Sequence, residues 1–137
     1  MTQATFTAVR QALAATLAKI PGLNTYGEYA EQITVPAAII LPVQGTFLSY
    51  VTQDGALNVS LRAALCVARA DGTGGQALMD PFLATTGTQS VFAALAADPR
   101  LGGTVDFAAL IEATGYGPIS VGAIDYLGCH LIISIGI

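Results

Sequence analysis

Residues Asp71–Gly103, DGTGGQALMDPFLATTGTQSVFAALAADPRLGG, decide the fold. Leu78, Met79, Phe82 and Leu83 recur at helical spacing, and Thr73 followed three residues later by Gln76 has the pattern of a capping box. Pro81 is expected to kink this helix, or to restart it with Asp80 as cap, because proline has no N–H for the helical ladder. Gly87 breaks the run. Thr88 or Ser90 then opens a second helix with Val91, Phe92 and Leu95 facing inward. Asp98-Pro99 stops it, and Leu101-Gly102-Gly103 turns the chain into the next strand. The stretch therefore reads as a helical pair.

On either side of it the hydrophobic period changes from helical to two. Upstream, Ala56–Arg69 sets Leu57, Val59, Leu61, Ala63, Leu65 and Val67 on one face and Asn58, Ser60, Arg62, Ala64, Cys66 and Ala68 on the other, the clearest strand in the chain. At about 3.3 Å per residue it would run about 40 Å, longer than most. Its second face starts polar and ends small and apolar, as expected of a strand whose far end meets a neighbouring subunit. Downstream, Thr104–Glu112 alternates Val105, Phe107, Ala109 and Ile111 against Thr104, Asp106, Ala108, Leu110 and Glu112. Gly115–Pro118 reads as a turn-rich link and Ile119–Ala123 as a short strand or lead-in. Tyr126–Ile137 closes the chain with Leu127, Cys129, Leu131, Ile133, Ile135 and Ile137 on one face.

Toward the N-terminus, Phe6, Val9, Leu13, Leu17 and Ile20 share one face of a predicted helix over Thr5–Ile20, capped by Thr2 or Thr5 and ended by Pro21-Gly22. Leu23–Tyr29 is ambiguous between a short strand and a loop. Thr34–Leu41 is strand-like, and Pro36 requires that strand to lie on an edge or to start after it. Gly45–Thr52, with Phe47, Leu48, Tyr50 and Val51 and a turn at Asp54-Gly55, reads as a hairpin arm. The order α-β-β-β-α-α-β-β with hairpin-like links predicts an α+β fold: a mainly antiparallel (mixed) sheet with helices packed on one face, in a single two-layer domain spanning residues 1–137.

Composition narrows the function. Charged residues are 10% of the 137 and hydrophobic ones 53%, against a usual charged share of about 25%. Surface that charge would normally solvate needs another cover. A membrane-spanning helix is not expected, since no apolar run approaches ~20 residues. No basic segment precedes Ala12–Ala18, so no signal peptide is read there. Subunit contacts are the expected cover. The net charge of −4, with the five basic residues Arg10, Lys19, Arg62, Arg69 and Arg100 dispersed, argues against a grip on nucleic-acid phosphates.

Candidate chemistry is sparse. Gly72–Ala77 fits G-x-G-x-x-A, a helix-opening turn that can hold a pyrophosphate. It is not the first turn of a βαβ series, however, and a turn with a cap accounts for the glycines. Cys129 and His130 are adjacent, but neighbours on a strand point to opposite faces and cannot form a nucleophile–base dyad. His130 is the only histidine, and beside Ile132 and Ser134 it reads as a surface or interface residue. Cys66 and Cys129 lack metal-ligand spacing and read as reduced packing residues. Asp71, Asp80, Asp98 and Asp106 fall where caps and turns need them. No catalytic, cofactor-binding or metal residue is expected.

The order of features resembles the tail terminator proteins of long-tailed bacteriophages, also called tail completion or head–tail joining proteins. The resemblance is carried by Val35–Pro42 (Val-Pro-Ala-Ala-Ile-Ile-Leu-Pro) after an N-terminal helix, the long strand, the helix near Gln76–Leu83, the run Gly87–Leu95, the segment Asp98–Gly103 and two C-terminal strands. The resemblance implies a structural virion protein without enzymatic activity or cofactor, in the tail and neck of the particle and in the host cytoplasm during assembly. It implies a homo-oligomeric ring, usually a hexamer, that sits on the last tube ring, halts polymerisation of the tube protein and docks to the connector or stopper protein of the head. DNA would pass through its channel without specific binding. The arm Gly45–Gly55 and the small-residue end of the long strand are then the expected subunit or tube contacts, with Phe47, Leu48, Tyr50, Ala64, Cys66 and Ala68 as the named residues. Another neck or tube component is the nearest alternative, and a small nucleotide- or cysteine-dependent enzyme the more distant one.

Overall fold

The computed structural model describes residues 5–28, 32–50, 55–70 and 74–137. The elements run α1 (Phe6–Leu17), β1 (Asn24–Tyr26), β2 (Ala37–Pro42), β3 (Leu48–Tyr50), β4 (Leu57–Arg69), α2 (Gly75–Leu83), α3 (Val91–Ala97), a short 3-10 turn (Leu101–Gly103), β5 (Phe107–Val121) and β6 (Ile124–Gly136). One six-stranded sheet has the order β1-β2-β4-β6-β5, with β3 also paired to β4. Every pairing is antiparallel except β1 with β2. The helices pack on one face, so the α+β two-layer expectation holds.

β4 organises the molecule. Along one of its edges β2 pairs over Leu61–Cys66 and β3 over Leu57–Val59, while β6 runs the length of the other edge. The odd residues Val59, Leu61, Ala63, Leu65 and Val67 join Cys129, Leu131, Ile133 and Ile135 of β6 in a buried layer under Val9, Leu13 and Leu17 of α1, Met79 and Phe82 of α2, and Val91 and Leu95 of α3. Each fully buried aliphatic side chain in this layer contributes about 1.5–3 kcal/mol relative to exposure. The final residue is tied in: Ile137 and Leu57 exchange both backbone hydrogen bonds, 2.8 and 3.0 Å long.

Local caps follow the sequence closely. Thr5 Oγ1 accepts the Ala8 N–H at 3.1 Å to start α1, and Ser90 Oγ accepts the Ala93 N–H at 3.0 Å to start α3 while donating to the Ala84 carbonyl. Asp98 ends α3, accepts the Gly102 N–H at 3.0 Å and pairs with Lys19 at 3.6 Å. β2 begins directly after Pro36, and Asn24–Tyr26 resolves the ambiguous stretch as a short strand beside it. The expectations that rest on Thr2, Tyr29, Val51, Thr52, Asp54, Asp71, Gly72 and Thr73 fall outside the described residues.

Three expectations are corrected. Pro81 does not restart the helix at Asp80: α2 is one element from Gly75 through Pro81 to Leu83, and the loss of one ladder bond so near its end is tolerated. Leu78 and Phe92 point outward, each about a quarter-turn from the Met79–Phe82 and Val91–Leu95 pairs that the sheet selects. Gly115–Pro118 is not a link between two strands. β5 runs unbroken for 15 residues against β6, with register shifts between Leu110 and Glu112 and between Thr114 and Gly117. Gly115, at φ +68°, absorbs the second shift as a bulge.

Candidate functional site

The face of the sheet turned away from the helices has two halves. In one half, Ala64 and Cys66 of β4 are buried with Ile39, Val121 and Tyr126, with Ile33, Val35, Ile119 and Ile124 packed around them. The sequence reading sends this small-residue end to a neighbour, but the chain's own residues cover it, so Ala64 and Cys66 present almost no surface of their own. Ala68 lies beyond a register shift between Cys66 and Ala68 and packs on the helix side instead.

The other half is polar and open. Strand register sets three rows across β4, β6 and β5: Ser60–Ser134–Ala109, Arg62–Ile132–Glu112 and Ala64–His130–Thr114. A cavity of about 360 Å³ opens over them, lined by Ser60, Arg62, Glu112, Thr114, His130 and Ile132, with Val43 and Gln44 at its β2 side. Arg62 stands diagonal to His130, a separation that long side chains span. The buried Nε of Arg62 and the buried Nδ1 of His130 have no hydrogen-bond partner. Among the described residues no carboxylate pairs with Arg62. Burial, and then the Arg62 charge, lower the His130 pKa from its usual value, so the imidazole is neutral at pH 7. Gly115 backs the ring: a Cβ there would come within 3.0 Å of His130 Cδ2.

A larger hollow of about 440 Å³ lies between α1 and α3, bordered by Thr16, Lys19, Ser90 and Asp98. Its charged groups are already paired with each other, so it has little left with which to recognise a ligand.

Cys129 and His130 lie on opposite faces, as strand geometry requires. The Cys129 thiol sits in the helix-side core, 3.8 Å from the Met79 sulfur, and His130 opens to the cavity. Both cysteines are free and buried. Burial pushes each thiol up to about 11, with the neighbouring Cys129 adding to the rise at Cys66, which leaves almost no thiolate near neutrality. Gly75 at the start of α2 packs so closely on Leu127 that an added Cβ would lie 2.6 Å from it. The glycine there serves helix–sheet packing. Among the described residues no group of three His, Cys, Asp or Glu side chains converges on a metal-sized site, and no helix is long and apolar enough to cross a membrane.

No protein-family model matches this chain, and no curated protein matches it. The remaining geometry is that of its edges. On the β2 side, Phe47 is 41% and Tyr50 76% exposed, and Leu48 is half-buried against the core. Phe47 rests edge-on against Phe6 at 5.9 Å, and Arg10 stacks on Phe6 at 5.7 Å, so the described part of the arm is fastened to α1. On the opposite edge β5 exposes Phe107, Ile111 and Tyr116. Sequence reading missed Arg62 and the β5 edge. The signal for Arg62 was a charge in the middle of the long alternating strand.

Proposed function

We propose that this chain is a structural subunit of a long-tailed phage, a tail terminator whose ring caps the tail tube, ends its polymerisation and joins the tail to the neck. The reading rests on the sequence resemblance and on one structural observation, the placement of exposed apolar side chains on two opposite edges of the sheet. At one end of β4 the strands lie in the order β3-β4-β6-β5. Tyr50 is therefore on one edge and Phe107 on the other, about 15 Å apart at the ordinary inter-strand spacing. A closed ring needs two different surfaces, one for each neighbour, and these two edges supply them.

The energetics favour cover. Strand β5 is 15 residues long with Glu112 as its only charge, whereas exposed edges are normally shortened or heavily charged. Burying an aromatic or aliphatic side chain yields about 1.5–3 kcal/mol. Covering Phe47, Tyr50, Phe107, Ile111 and Tyr116 together is comparable with the roughly 4–15 kcal/mol that association costs. The expected sparse-charge surface of a permanent assembly is consistent with this.

The test is a complementation of edges. Tyr50→Asp and Ile111→Asp each leave one edge intact, so neither variant alone closes rings by electron microscopy, and a mixture of the two forms dimers through the intact pair. Phe47→Asp or Tyr50→Asp chains that still form wild-type rings, and leave tail length unchanged in an infected cell, would remove the arm from the mechanism.

A further inference from the structure

We propose that the Arg62–His130 cavity on the helix-free face is a receptor for a single carboxylate group. Its walls are built from three strands, with Arg62 on β4 and, from the later β5–β6 hairpin, Thr114 on β5 and His130 on β6, and its volume of about 360 Å³ accommodates a small polar group. Two buried nitrogens are in place and unused. The Arg62 Nε is buried without a partner, and so is the His130 Nδ1. Burial makes an unmade hydrogen bond costly, and a guanidinium edge offers two parallel N–H groups whose spacing fits the two oxygens of a carboxylate. In its Nδ1–H tautomer the neutral imidazole adds a third donor from the neighbouring strand. The hydroxyls of Ser60 and Thr114 stand at the rim.

The chemistry selects carboxylate over phosphate. Glu112 lines the same cavity, and Arg62 is the only cation among its lining residues. With Glu112 counted, the lining charges already balance, so a carboxylate leaves a single net negative charge and a phosphate dianion leaves two, which favours the monoanion. Ile132, between Arg62 and Glu112 in its row, gives the floor an apolar surface suited to the carbon end of such a group. The carboxylate has two natural sources: a free small molecule, or an aspartate or glutamate side chain of a second copy of this chain, which carries nine acidic residues and a net charge of −4.

The experiment is an NMR titration of the isotope-labelled full chain with sodium acetate at constant ionic strength, following the Arg62 Nε–H signal and the titration of the His130 ring. Saturable acetate binding with an upward shift of the His130 pKa, weakened at least tenfold in Arg62→Gln and several-fold in Arg62→Lys, supports the free-molecule source. An Arg62 Nε–H signal that responds to protein concentration instead, with association weakened at least tenfold in Arg62→Gln, supports the neighbouring-copy source. Unchanged melting temperatures establish that both variants fold. Tighter binding of inorganic phosphate than of acetate overturns the carboxylate assignment, and indifference of Arg62 to both acetate and protein concentration overturns the site. Wild-type chains blind to acetate, together with rings that form normally from Arg62→Gln chains, would end this proposal and leave the ring reading standing. A chain that binds acetate but stays monomeric would do the reverse.

Discussion

The two faces of the central strands share a backbone and differ in what they are for. On the helix side, Val59, Leu61, Ala63 and Leu65 meet Leu131, Ile133 and Ile135 with no polar side chain among them. On the other side the same strands present Asn58, Ser60, Arg62, His130 and Ser134, where Ser134 donates to Asn58 at 3.2 Å but the Arg62 Nε and His130 Nδ1 bond to nothing. Folding alone accounts for the first face. The second carries a charge and two unmade hydrogen bonds that an isolated chain gains nothing by keeping, and that is the physical ground for looking outside the chain for what completes it.

Substitutions should separate the faces by size of effect. Leu61→Ala removes a fully buried side chain and should destabilise the chain by about 2–5 kcal/mol in urea denaturation. If the loss is below ~1 kcal/mol, the helix side is not the close-packed layer described. Ser90→Ala deletes the α3 cap and strands the Ala84 carbonyl; a loss of about 1–2 kcal/mol is expected by the same measurement. Arg62→Met on the open face should move the other way, leaving monomer stability unchanged or raising it by up to ~1 kcal/mol, since it replaces a partly buried unpaired charge by an apolar chain of similar length. A loss comparable with that of Leu61→Ala would mean that Arg62 belongs to the folding core.

The thiols test burial on both faces at once, because Cys129 lies on one and Cys66 on the other. The native chain should resist thiol labelling at pH 8 and react at both cysteines once unfolded. With the ordinary thiol value of 9.0 raised to about 11 at each site, the unfolded chain loses these protons first. Stability should therefore fall as pH rises from about 9 to about 11 and be insensitive to these groups below. Rapid labelling of Cys66 alone would mean that the second apolar cluster opens independently of the core.

The sequence announced the helix-side face and hid most of the other. Strict alternation in Ala56–Arg69 and Tyr126–Ile137 marks one buried row, and side-chain oxygens at Thr5, Ser90 and Asp98 sit where the helix ends need them. These are local signals with a period. The Arg62–His130 cavity is not local: it depends on Ala64 standing opposite His130, a pairing across 66 residues that no period reveals. The continuity of β5 was concealed for a different reason. Gly115 and Gly117 carry the signature of a turn, and only the unbroken partner β6 makes bulges of them. Likewise, which of Leu78 or Met79, and which of Val91 or Phe92, faces the sheet is decided by the docking angle of a short helix rather than by its composition.

The proposed function makes the exposed edges, β3 with Phe47 and Tyr50 and β5 with Phe107, Ile111 and Tyr116, half-interfaces of a closed assembly. Sedimentation velocity of the purified chain across a hundredfold range of concentration tests it most directly. The expected result is one discrete larger species, a fixed multiple of the 14.0 kDa chain, whose share grows with concentration while its mass stays fixed. A single 14.0 kDa species throughout, or a ladder of ever larger masses with no closed end point, would contradict it.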